Sequence, residues 1–217
     1  MFRRIAMTAI LMVIAICSSI SMNPHQTADA SVTLKIGSSN GDVWDAQYRL
    51  KALGYYDGPL DGVYGSLSAS ATRAFQRDYG LKVDGIIGEA TWKALRKYSL
   101  NIYEMDVLAK IIYGEARGEP YIGQVAVGAV VLNRIQSPLF PDTIYDVVFQ
   151  NNAFTAITDG QYWLKPDATA YRAALDAVRG WDPSGNALYY FNPKTATSKW
   201  IWSRQQTTRI GNHIFAK

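Results

Sequence analysis

Asp61-Gly62-Val63-Tyr64-Gly65 recurs 23 positions later as Asp84-Gly85-Ile86-Ile87-Gly88, and each copy runs into a segment of helical periodicity. Asp-Gly supplies an Asx-type turn followed by a residue free to take positive φ. The apolar pair that follows is expected to tuck inward, and the closing glycine to permit close entry into the next helix. Ahead of the first turn, Val43, Ala46, Gln47, Leu50 and Leu53 recur at helical spacing, with Gly54 placed as a terminating glycine. Ala71, Ala74, Phe75 and Tyr79 mark a second helix, closed by Gly80. Trp92, Leu95 and Arg96 mark a third, with Lys93 and Lys97 on its outer side. The spacing predicts a small three-helix domain over residues 31–98.

The same residues carry a resemblance. Gly41-Asp42-Val43, Gln47, Leu50 and Leu53-Gly54-Tyr55 are followed by Leu60-Asp61-Gly62, Gly65, Phe75-Gln76, Val83-Asp84-Gly85, Gly88 and Thr91-Trp92. Together, over about residues 36–96, they resemble the type 1 peptidoglycan-binding domain. That resemblance implies a compact module that localises an enzyme to the bacterial wall. Trp44 departs from it, since the family often carries a polar residue there.

Upstream, Met1-Phe2-Arg3-Arg4 is a basic head before the apolar run Ile5–Ile16, which falls short of the roughly 20 residues a bilayer span requires. Ser18, Ser19 and Ser21 lead on to Ala28-Asp29-Ala30, an A-x-A-like cleavage site. Residues 1–30 read as a secretory signal peptide, leaving no stable membrane anchor after cleavage. The leader holds the only cysteine, Cys17, and one of the two histidines, His25. The remainder therefore has no disulfide, no cysteine nucleophile and no set of histidines for a zinc site. Of 22 basic and 18 acidic residues, 20 and 17 lie beyond the leader, too small an excess to imply a nucleic-acid partner.

Tyr98–Tyr103 forms a short join without a Pro/Ser-rich spacer, so a second domain over residues 101–217 is expected to sit close to the first. In it, Val107, Leu108, Ile111 and Ile112 form a helical stripe, and Glu115 follows Leu108 by seven, Ile111 by four and Ile112 by three. That spacing puts Glu115 on the buried face, in a last turn ended by Gly118 and Pro120. Desolvation and the negative helix end both favour a protonated carboxyl, the state a general acid needs. The competing reading is a structural glutamate paired with Arg117 or Arg134. Tyr121–Ile135 is apolar nearly all round and reads as the core helix, and Ala168–Val178 as a third, ended by Gly180. Beyond Gly185, Ala187–Asn192 and Ile210–Phe215 read as strands. Trp200 and Trp202 flank Ile201, an alternation that would put both rings on one face of an extended segment, open to stack on sugar rings.

Among wall-cleaving chemistries, the Cys and His inventory disfavours zinc amidases, zinc endopeptidases and cysteine peptidases, and no G-x-S-x-G elbow occurs. Carboxylate-catalysed glycan cleavage remains, with no metal and no cofactor. Tyr113-Gly114-Glu115-Ala116-Arg117-Gly118-Glu119-Pro120 and Gly123–Val127 open a likeness that continues through Leu132-Asn133-Arg134, Phe140-Pro141, Ala153-Phe154-Thr155 and Gly180–Pro183. Tyr190-Phe191-Asn192-Pro193 and Gly211–Phe215 complete it. Over residues 104–216 the chain is similar to the spore-cortex-lytic enzyme family of cell-wall hydrolases. The resemblance implies a lysozyme- or transglycosylase-like, mainly helical domain with a small antiparallel sheet, α+β overall. It implies peptidoglycan as partner, cortex cleavage in germination or sporulation, and Glu115 as the single catalytic glutamate. Thr155, Tyr190, Asn192 and His213 fall within the matched stretches as candidate substrate contacts, beside Trp200 and Trp202. Glu119 has two readings, a second catalytic carboxylate or a structural cap. Non-catalytic wall binding and N-acetylmuramoyl-L-alanine amidase activity stand as rivals.

Overall fold

Residues 32–217 are described by the computed structural model; the expected leader, residues 1–30, lies outside them. The first three helices, α1 (Gly41–Ala52), α2 (Ser66–Asp78) and α3 (Glu89–Tyr98), enclose a core of Leu34, Val43, Leu50, Phe75, Ile87 and Leu95. The repeated turn is held by a repeated clamp. Gln47, buried on α1, receives the Gly62 N–H on Oε1 at 3.0 Å while Nε2 reaches Asp61 Oδ1 at 2.8 Å and the Val63 carbonyl at 3.1 Å. Gln76, buried on α2, does the same for the second turn: Gly85 N–H at 2.9 Å, Asp84 Oδ1 at 3.0 Å and the Ile86 carbonyl at 2.9 Å. Each aspartate also closes its own Asx turn onto Val63 N or Ile86 N, at 2.9 Å in both cases. Gly62 and Gly85 take φ of +71° and +74°, as the turn requires.

Two details differ from the expectation. Only the second residue of each apolar pair is buried: Tyr64 and Ile87 are 1% and 0% exposed, Val63 and Ile86 49% and 37%. The extended backbone after the turn alternates sides, so the pair cannot face inward together. Gly65 and Gly88 are helix N-caps with ordinary negative φ, and no atom would lie within 4 Å of an added Cβ. Close approach therefore does not explain them.

A second core gathers around α4 (Ile102–Ala116) and α5 (Tyr121–Gln136). Asn101 and Glu104 start α4 with a reciprocal capping box. Val125–Val131 of α5 is buried on every side, as its composition predicts. Gly128 lets it sit between two neighbours, since a Cβ there would meet Ile112 Cδ1 at 2.8 Å and Ala177 Cβ at 3.3 Å. The short helices α6 (Ile144–Val148) and α7 (Thr155–Thr158), a 3₁₀ turn (Gln161–Trp163) and α8 (Ala168–Val178) complete the layer. Strands β1 (Tyr189–Phe191), β2 (Gln206–Ile210) and β3 (His213–Ala216) form an antiparallel sheet in the order β1-β3-β2, with α9 (Lys199–Trp202) between β1 and β2 in sequence. The fold is thus α+β, mainly helical with a small sheet. No helix among the described residues is long and apolar enough to cross a membrane.

The expected single strand Ile210–Phe215 is a hairpin corner instead. Gly211 at φ +57° reverses the chain between β2 and β3. The expected extended segment at Trp200–Trp202 is the one-turn helix α9, in which neighbouring side chains diverge.

The two cores meet within one compact unit. Arg49 of α1, only 4% exposed, bonds Asp45 at 2.9 Å and the Ser99 carbonyl at 2.9 Å, with Glu104 of α4 3.6 Å away. Arg179, just past α8, donates to the Ala52 carbonyl at 2.8 Å. Arg49 is thus held by its own side and reaches across to Glu104, while Arg179 makes the return contact.

Candidate active site

Leu108, Ile111 and Ile112 are completely buried, and the stripe they form carries Glu115 out to the rim of the core, where it is half-buried. The deep burial expected for its carboxyl is thereby corrected: the last turn of α4 emerges from under α7. Thr155 Oγ1 donates to Glu115, 3.1 Å from Oε1 and 3.2 Å from Oε2, and the Ala156 N–H donates to Oε1 at 2.6 Å. This cradle depends on Gly114. A Cβ there would stand 2.7 Å from Ala156 Cβ, 3.3 Å from Tyr162 N and 3.4 Å from Gln161 C, so only glycine lets α7 close over the helix.

Neither base named from the sequence pairs with Glu115. Arg117 is exposed, lies over the Tyr113 ring and bonds Gln161 Oε1 at 2.5 Å. Arg134 is buried among Phe140, Phe154 and Tyr189, with Nε on the Leu188 carbonyl at 2.8 Å. Burial lowers the Arg134 pKa, while Tyr190, Tyr189 and Glu115 oppose it, so its charge is felt at the site without a direct ion pair.

Sheet register brings two more side chains to Glu115. Tyr190 is paired with Phe215, and His213 lies two residues before Phe215, so all three share one face. The Tyr190 and His213 rings are 5.1 Å apart. Among the described residues, the Tyr190 hydroxyl and His213 Nδ1 are the buried side-chain polar atoms that lack a hydrogen bond. Burial first, then the charge of Glu115 and the approach of its carboxylate to the hydroxyl, raises the Tyr190 pKa well above its ordinary value. Burial lowers the His213 pKa, partly offset by Glu119 and Glu115, which favours the neutral imidazole. Buried polar groups are nearly always paired; here the Tyr190 hydroxyl has the Glu115 carboxylate close by, and His213 Nδ1 is left without a partner.

Glu119 is engaged differently. Its Oε2 accepts from Asn212 N at 2.9 Å and its Oε1 from Asn212 Nδ2 at 3.0 Å, fastening the β2–β3 corner to the α4–α5 connection. Burial acts to raise its pKa, but the Asn212 bonds and His213 outweigh it and the net shift is downward. Gly211 is needed here for space as well as for φ, because a Cβ would fall 2.0 Å from Glu119 Oε2.

The structure therefore gathers Thr155, Tyr190 and His213 around Glu115, with Glu119 behind His213. Asn192 Oδ1 accepts from Lys194 N at 2.9 Å in the turn after β1. Trp200 and Trp202 rest edge-on against Tyr189 and Phe191, at 5.1 and 4.9 Å, residues that alternate with Tyr190 onto the opposite face. Both tryptophans thus pack on the sheet face opposite Tyr190, carried there by a helical turn and not by the expected extended segment. The packing role of Gly114 was missed; a glycine inside a helix directly before a candidate acid was the available signal.

Comparison with known proteins accords with this architecture. The Cell Wall Hydrolase family model matches residues 118–216, and the Putative peptidoglycan binding domain model matches residues 39–95. A spore cortex-lytic enzyme of Oceanobacillus iheyensis is 40% identical, covering 96% of this chain and 98% of its own. One from Bacillus cereus is 44% identical over 88% of each chain. Among solved structures, the catalytic domain of the germination-specific lytic transglycosylase SleB from Bacillus anthracis is 58% identical, with a TM-score of 0.52, covering 54% of this chain and 97% of that one. With likeness at this level along almost the full length of both proteins, the chain belongs to the spore cortex-lytic enzyme family.

Proposed function

We propose that this protein cleaves the glycan strands of cortex or cell-wall peptidoglycan by lytic transglycosylation, with Glu115 as the single acid and base. The carrying observation is the cradle around Glu115: two donors hold the carboxyl, no basic group among the described residues forms an ion pair with it, and Tyr190 and His213 stand beside it. Protonated Glu115 gives its proton to the glycosidic oxygen as the bond from C1 breaks. The resulting carboxylate takes the proton of the muramic 6-hydroxyl as that oxygen bonds C1, leaving a 1,6-anhydro end and a free 4-hydroxyl. No water is consumed, and Glu115 ends as it began. Thr155 and the Ala156 N–H aim the carboxyl, and Tyr190 and His213 supply polar contacts to the sugar. Glu119 holds the β2–β3 corner that carries His213. Residues 31–98 serve as the wall-binding domain and 101–217 as the catalytic domain, exported by the leader at 1–30. The likeness to spore cortex-lytic enzymes and to the lytic transglycosylase SleB supports the same reaction class over non-catalytic wall binding or amidase activity.

The test is Glu115→Gln, which keeps shape and polarity but cannot donate the proton. Digestion of cortex sacculi, followed by mass spectrometry of the fragments, should fall by about 10²–10⁴-fold or more, with the melting temperature little changed. A folded Glu115→Gln protein digesting at the wild-type rate would refute the assignment. New amino groups without anhydro ends would return the amidase reading.

A further inference from the structure

Trp44, the residue that departs from the wall-binding pattern, stacks on Tyr48 one helical turn along α1, with ring centroids 5.5 Å apart and planes 12° from parallel. The pair forms one wall of an 880 Å³ cleft at the junction with α4 and α8, which also takes in Tyr103, Tyr171, Asp45 and Asp106. Tyr103 is 80% exposed although it lies on a helix beside an apolar cleft. Glu115 is not among the lining residues, so this is a place apart from the candidate active site.

We infer that this cleft is a second glycan-binding site, which takes the neutral N-acetylated sugar rings of a strand while another stretch of that strand lies at Glu115. The inference rests on the reading of the chain as a glycan-strand-cleaving enzyme, which supplies the polymer. The volume lies within the roughly 300–1,000 Å³ of small-molecule sites, which favour junctions between compact parts. Flat indole and phenol faces present apolar surface to the C–H face of a pyranose. The carboxylates at the rim can accept from its hydroxyls.

Charge selects this occupant over the peptide stems. Asp45 and Asp106 lie on the lining and no lysine or arginine does. Their charges are already partly met: from outside the cleft, Asp45 by Arg49 at 2.9 Å and Asp106 by Lys110 at 2.7 Å, and within it Asp106 by the Tyr171 hydroxyl at 2.5 Å. A stem rich in carboxylates would meet only negative groups there, whereas a neutral polyol finds acceptors and ring faces.

The experiment uses the full chain carrying Glu115→Gln, so that bound sugar stays intact, and titrates it calorimetrically with neutral oligosaccharides of N-acetylglucosamine. Adding Trp44→Ala or Tyr103→Ala should weaken binding by about three- to tenfold each. Tyr103 is so exposed that its truncation leaves the fold intact, and melting curves check Trp44→Ala. Unchanged glycan affinity in both folded variants would overturn the site. So would a loss of affinity seen with isolated stem peptides and not with the neutral oligosaccharide. Wild-type chain that fails to cleave glycan, yet binds it through Trp44 and Tyr103, would sink the catalytic reading and leave the cleft standing.

Discussion

Replacing Gly114 by alanine separates helix stability from site geometry. Gly114 lies inside α4, where alanine is favoured over glycine by about 1 kcal/mol. The added methyl, however, meets Ala156 Cβ at 2.7 Å, with Tyr162 N and Gln161 C behind it at 3.3 and 3.4 Å. Carbon contacts favour about 3.5–4.0 Å, so α7 must retreat by close to an ångström, and overpacking of this kind costs about 1–3 kcal/mol. The two effects nearly cancel, leaving a loss of about 0–2 kcal/mol, or at most about 8 °C in melting temperature for a unit of this size. Activity should fall further than stability. The 2.6 Å bond from Ala156 N to Glu115 lies directly behind the clash, and a hydrogen bond to a charged group is worth about 1.5–3 kcal/mol. If the held carboxyl is what the reaction requires, kcat/KM drops by about 10- to 150-fold. Anhydro-end release from sacculi and melting curves would be measured for Gly114→Ala, Ala156→Gly and the double variant. Ala156→Gly removes the struck methyl, so the double variant should recover most of the lost activity in a non-additive cycle. A folded Gly114→Ala enzyme of wild-type activity, or a double variant no better than the single, would refute the reasoning.

Gln47→Leu and Gln76→Leu should each lower stability by about 3 kcal/mol, because each strands a buried glycine N–H and loosens an Asx turn; thermal denaturation of the two variants should give similar losses, reflecting the repeat. Gly211→Ala combines a left-handed φ of +57° with a clash on Glu119, and is expected to cost about 2–4 kcal/mol and to release the corner bearing His213, seen as joint loss of melting temperature and digestion. Glu119 has its folded pKa depressed below the ordinary 4.5, so its stabilisation is present above pH 4.5 and lost as pH falls through the folded value. Melting temperature should therefore decline less on acidification in Glu119→Gln than in wild type, and identical profiles would contradict the Asn212 clamp.

What could be read in the residues was what local periodicity and turn chemistry govern. Gly54, Gly80 and Gly180 end their helices at positive φ, and α5 and α8 begin or end within a residue of the expected positions. Errors fell where sequence alternation misled. Trp200 and Trp202 look like alternate strand positions, but Ser198 and the polar run before it start a helical turn, and the rings settle on Tyr189 and Phe191. The run Ile210–Phe215 is apolar enough for a strand, yet Gly211-Asn212 is a turn dipeptide whose bonds go to Glu119, 93 residues earlier. No short-range pattern carries that information.

The site illustrates the same division. Spacing along α4 delivers Glu115 to the end of a buried stripe, a local property. Whether that carboxyl is a structural partner or a chemical one depends on what faces it, and those groups come from α7, β1 and β3. Had Arg117 or Arg134 reached it, the position would have been an ion pair; instead Arg117 turns to Gln161 and Arg134 is spent on ring faces and the Leu188 carbonyl. The sheet, too small to stabilise much by itself, holds Tyr190 and His213 where a sugar can complete their hydrogen bonds. A glycine next to the acid admits the donors on one side, and a glycine in the β2–β3 corner admits Glu119 on the other. The surroundings of Glu115 are thus shaped by the missing side chains of two glycines as much as by the residues that face it.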